Sequence, residues 1–144
     1  MFQFVIYAPL VPQKQTRIAR NGHCYNPSAK DKERIQWQIK PLAPSVPLCC
    51  AVELTLTFFF PIPKSAKKAL REQMLKRVIL PDKRPDVDNL AYLITNALTG
   101  IVYDDDSRVC AMKLFKFYGP ESKTVIQVRP ILQAQPLGYH ADDL

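Results

Sequence analysis

Between Arg84 and Arg108 the chain reads RPDVDNLAYLITNALTGIVYDDDSR, two acidic clusters around one apolar segment of helical length. The clusters hold Asp86 and Asp88, then Asp104, Asp105 and Asp106, in a protein of net charge +7. Carboxylates within about 4–6 Å of one another repel, and a lone buried carboxylate is costly, so such clusters share a cation or spread into water. A site for a hard metal ion is therefore the working expectation. In an extended approach Asp86 and Asp88 leave the same side of the backbone. Asp88 is then predicted to cap a helix whose Leu90, Leu93, Ile94, Ala97 and Leu98 form a core-facing stripe closed by Gly100. Taken singly, Asp88 reads as a helix cap and the triplet as an exposed turn. Together they are harder to dismiss, because a short helix ending in a glycine turn can return the triplet towards the pair. The spacing of a calcium-binding loop is excluded: counting from Asp104, Val109 stands where such a loop needs glycine and Phe115 where it needs glutamate. Oxygen ligands without histidine or thiolate favour Mg2+ or Mn2+ over zinc.

Composition narrows the remaining classes. A chain of 144 residues with 47% hydrophobic content is expected to form one globular domain, and no apolar run approaches the roughly 20 residues of a membrane span. The start, MFQFVIYAPL, lacks a basic region and a cleavage site, so it reads as a first strand and the protein is expected to be soluble and cytoplasmic. Cys24, Cys49, Cys50 and Cys110 match neither zinc nor disulfide spacing. No Ser-His-Asp or Cys-His arrangement is visible around His23 or His140, and the four glycines are too scattered for a phosphate loop. The pI near 9.3 suggests a polyanionic partner, nucleic acid ahead of an anionic membrane. Metal-assisted chemistry on a polyanion remains.

Along the chain, Phe2 to Tyr7 alternates as a strand, and Ala8 to Cys24 turns into a basic loop whose Lys14, Arg17 and Arg20 can follow phosphates or simply be solvated. Asn26 and Pro27 start a helix that runs to about Lys40, with Ile35 and Ile39 on its core side. Trp37 on that helix can stack on a base, although packing is the commoner role. Cys49 to Phe60 alternates as the clearest strand, and Ser65 is predicted to cap a short basic helix through Met74. Strands are expected again over Arg108 to Tyr118 and Lys123 to Arg129. The expected product is an α+β domain over 1–132, a mixed sheet with helices mainly on one face, followed by a poorly ordered tail over 133–144.

RPDVDNL, a helix ending ALTG, a hydrophobic residue and then DDDSRV resembles the RusA family of Holliday junction resolvases, and the likeness extends through about Arg129. The resemblance implies a Mg2+-dependent endonuclease, acting as a homodimer, that cuts four-way DNA junctions symmetrically. It implies Asp86, Asp88 and Asp106 as metal ligands, with Asp105 beside them in the catalytic group. Arg84 and Lys116 join Lys14, Arg17 and Arg20 as expected DNA contacts. One departure stands out. Four residues after the second motif aspartate the family commonly carries lysine, whereas this chain has Tyr92. Either Lys83, Arg84 or Lys116 then supplies the missing cation, or turnover is slower. Two competing functions are a non-catalytic binder of branched DNA and a Mn2+-dependent transferase that uses Asp86 and Asp88 on a nucleotide sugar.

Overall fold

The computed structural model describes residues 1–132; the tail expected over 133–144 lies outside the described residues. Strands β1 (Phe2–Ile6), β4 (Val52–Pro61), β5 (Val109–Gly119) and β6 (Lys123–Pro130) build a four-stranded sheet in the order β1-β6-β4-β5. β6 is antiparallel to both β1 and β4, whereas β5 is parallel to β4, so the sheet is mixed. The connection between the parallel pair carries helices α2 (Lys68–Leu75) and α3 (Val87–Leu98), as a parallel pair requires a crossover. Helix α1 (Ala29–Ile39) packs beside α3.

Alternation decides which face of the sheet is dry. Val52, Leu54, Leu56 and Phe58 of β4, with Phe4, Ile6, Ile126 and Val128, point to one side and are almost fully buried. Against them lie Ile35 and Ile39 of α1 and the stripe Leu90, Leu93, Ile94, Ala97 and Leu98 of α3. Burial of each large side chain is worth about 1.5–3 kcal/mol, so α3 is held firmly on the sheet. Gly100, at φ +79, turns the chain after α3 in the left-handed region that glycine accepts without strain.

The opposite face is partly polar. Glu53 there receives Lys113 at 3.2 Å and Arg129 at 2.9 Å. At the other end of that face Phe117 stacks on Phe115, and the Arg77 guanidinium beyond α2 lies 4.1 Å from the Phe117 ring centre.

Between β1 and α1 the expected basic loop contains a small hairpin, β2 (Arg17–Ile18) paired with β3 (Cys24–Tyr25). Asn21-Gly22 occupies its turn, with Gly22 at φ +79. The helices also start differently from expectation. Asn26 accepts from the Ser28 amide ahead of α1, α2 begins only at Lys68, and Asp86 rather than Asp88 holds the N-cap position of α3. The extended conformation at Asp86, φ -68 and ψ 143, passes directly into helix at Val87, which places Asp88 inside the first turn.

Candidate active site

The start of α3 presents the first acidic pair. Asp86 and Asp88 are both exposed, and Asp86 makes no capping hydrogen bond with its side chain. The segment before them is held from β5: Lys116 Nζ donates to the carbonyl oxygens of Lys83 at 2.7 Å and Pro85 at 3.0 Å. The same ammonium lies 5.2 Å from the centre of the Phe60 ring. Lys116 thus ties the end of β5 to the start of α3, and two of its N–H groups are committed to backbone carbonyls.

The second cluster lies at the other end of β5. Asp104 forms a two-point pair with Arg108, Nε to Oδ1 at 2.7 Å and Nη2 to Oδ2 at 2.8 Å, which holds its carboxyl below the usual range. Ser107 donates to Asp105 and lowers that carboxyl likewise. Asp106 opens the 3-10 turn Asp106–Arg108. Its charge reaches Tyr103, a buried phenol whose hydroxyl donates to the Thr95 carbonyl at 3.1 Å. Burial first, and Asp106 second, push the Tyr103 hydroxyl up from its ordinary pKa. Among the described residues the ion pairs are Arg108–Asp104, Lys113–Glu53 and Arg129–Glu53, so Asp86, Asp88 and Asp106 keep carboxylates without a cation.

These contacts orient α3 and β5 against each other. The start of α3 meets the end of β5 through Lys116, while Thr95, near the end of α3, meets Tyr103 just before β5. From Asp86 to Thr95 the helix rises about 13 Å. Asp106 therefore stands towards the far end of α3 from Asp86 and Asp88. Among the described residues of one chain, no three acidic, histidine or cysteine side chains gather as a metal-holding group. The chain offers the Asp86–Asp88 pair and, separately, Asp106. The donor chemistry suits a hard divalent ion, but the described residues of the chain do not gather a complete set.

The other expected contacts fall around this pair. Arg84 lines a cleft of about 340 Å³ with Asp86 and Asn89, and Lys14 lines a second cleft with Asn89 and Tyr92. Arg17 and Arg20 are exposed on the hairpin. Trp37 does not pack: it is 68% exposed, with Lys40 Nζ 5.6 Å from its ring. Sequence reasoning passed over Asn89 and Asn96, which lie seven residues apart on the polar side of α3 and face the second cleft. The signal was available, since the apolar stripe of an amphipathic helix defines the opposite polar face. No helix of the described residues is long and apolar enough to cross a membrane.

The described residues thus form a small α+β domain that exposes cation-free carboxylates beside basic side chains. The family model described as Endodeoxyribonuclease RusA matches residues 8–129, and the chain belongs to that family. A relative from Bacillus subtilis (strain 168), described as uncharacterized protein YqaN, is 29% identical over 136 residues, covering 90% of this chain and 96% of the relative.

Proposed function

We propose that the protein is a Mg2+-dependent endonuclease that resolves four-way DNA junctions by paired, symmetric phosphodiester hydrolysis in recombination and repair, with Mn2+ as a possible substitute ion. The supporting observation is the family match over 8–129 together with cation-free carboxylates at its two acidic motifs. Acting on chromosomal DNA, it would work in the cytoplasm.

The active unit is a homodimer. β5 is an edge strand of eleven residues, with Met112 and Phe115 exposed beside its unpaired backbone. Such an edge invites a second strand. Pairing two β5 strands antiparallel about a two-fold axis sets the start of each against the end of the other. Asp106 precedes β5 and Asp86 lies by Lys116 near its end, so this pairing brings Asp106 of one copy towards Asp86 and Asp88 of the other. Two sites of that kind suit the approximate two-fold symmetry of a four-way junction.

In this reading Asp86, Asp88 and Asp106 hold the ion, and Asp105 lies beside them. The bound ion supplies charge neutralisation at the scissile phosphate and a nucleophile available at neutral pH. Lys116 fixes the backbone that carries Asp86, Arg84 faces the phosphate side of the same cleft, and Lys14, Arg17 and Arg20 contact flanking phosphates. Shape and charge dominate binding. Incubation with a synthetic junction and Mg2+ tests the reading: nicks at symmetric positions in opposing strands support it, and intact DNA under tight binding favours a non-catalytic binder of branched DNA.

A further inference from the structure

We propose that the cleft beside the start of α3 is a pocket for one nucleobase unstacked from the DNA, and that it sets which sequence is cut. The inference rests on the nuclease reading and deepens it. The cleft encloses about 400 Å³, and its walls are dominated by Gln13, Gln15, Asn26, Asn89, Asn96 and Tyr92. Lys14 is its one charged side chain, in a protein whose residues are 23% charged. A groove built for phosphate alone gathers cations; this one gathers amides. Each amide places a donor beside an acceptor, which is the arrangement that matches the hydrogen-bonding edge of a base.

Part of the wall is held by hydrogen bonds within the fold. Gln13 N donates to the Asn89 carbonyl at 3.1 Å, and Asn96 Nδ2 donates to Gln13 Oε1 at 3.3 Å. Lys14 N donates to Oγ of the fully buried Ser28 at 2.8 Å. These bonds tie Gln13 and Lys14 to α3 and to the entry of α1. The side chains of Asn89 and Gln15 have no hydrogen-bond partner among the described residues, and Asn96 keeps its carbonyl oxygen free. Gln13, Asn26 and Asn96 are held by side-chain hydrogen bonds, while the unbonded amides of Asn89 and Gln15 are free to turn towards a base.

Tyr92 supplies the remaining element. Its side chain is 56% exposed on α3 and lines the cleft, so its ring offers a stacking surface for a base. At the position where the family commonly carries a cation, this chain carries an aromatic. Asn89 also lines the neighbouring cleft with Arg84 and Asp86, so the two clefts share a wall. A nucleotide with its phosphate at Asp86 therefore has the amide pocket next to it for its base.

The test uses full-length protein and four-way junctions that differ only in their core nucleotides, bound with Ca2+ in place of Mg2+ so that binding is read apart from cutting. Kd should spread by about tenfold or more across the core sequences. Gln15→Ala and Tyr92→Lys should each flatten the spread to about threefold or less, and Tyr92→Phe, which keeps the ring, should retain it. Uniform binding by the wild type, or a spread that survives Gln15→Ala or Tyr92→Lys, overturns the pocket and leaves the nuclease reading standing. A wild-type spread without any cutting in Mg2+ overturns the nuclease reading and supports the pocket. Failure to bind junctions at all overturns both.

Discussion

Lys116 donates to the carbonyl oxygen of Pro85 at 3.0 Å, one residue before Asp86, so a strand at the edge of the sheet fixes the backbone that carries the first candidate ligand. Replacing it by Lys116→Met keeps the stem and removes the donor from both carbonyls. Cutting should fall about 10- to 100-fold through lost positioning, while the salt dependence of junction binding stays as in the wild type. A salt slope reduced by about one unit would instead make Lys116 a phosphate contact.

The β5 edge carries the proposed dimer. Met112→Arg places a like charge opposite itself or its neighbours wherever two such strands pair about a two-fold axis. Sedimentation should then give a monomer that binds junctions weakly and does not cut. A dimer that persists with full cutting would move the interface elsewhere.

Arg17 and Arg20 lie on a hairpin that is not part of the four-stranded sheet. If they meet phosphates, Arg17→Ala combined with Arg20→Ala should lower the slope of log K against log salt by about 2, with equal loss on every core sequence. Filter binding across a salt series measures it. An unchanged slope would show the hairpin to be off the DNA.

Glu53 is a largely buried carboxylate held by Arg129 first and by Lys113, and the hydrogen bond from Arg129 is the largest cause of its lowered pKa. A depressed carboxylate contributes stability above its unfolded pKa, about 4.3, and loses it as pH falls through the lower folded value. Glu53→Gln should therefore cost about 1–3 kcal/mol at neutral pH, with the difference from wild type shrinking below about pH 4. Urea unfolding at the two pH values checks it; a difference independent of pH would mean that shape, not charge, is lost.

The helical core was legible because periodicity alone specifies it: the stripe from Leu90 to Leu98 and the alternation of Val52 to Phe60 needed no tertiary information. The hairpin at Arg17 and Tyr25 is hidden from periodicity, although Asn21-Gly22 signals its turn, because two-residue strands are too short to show alternation. The sequence places the cap at Asp88, whereas the extended Asp86 holds that position, a shift of less than one helical turn. Lys116 read as one more cation, since nothing local says that its ammonium turns inward. The separation of Asp106 from Asp86 was equally out of reach, because it depends on α3 and β5 running in opposite directions. Which aspartates were candidates could be read from the chain; where they stand required the fold.

The central claim is that Asp88 serves metal-dependent strand cutting rather than the fold or DNA binding. The decisive measurement compares wild type and Asp88→Asn on a four-way junction in Mg2+, following both cutting and binding, with urea unfolding as a control. Junction affinity should hold or tighten, stability should change little, and cutting should fall at least about a thousandfold. Wild-type cutting by Asp88→Asn would contradict it.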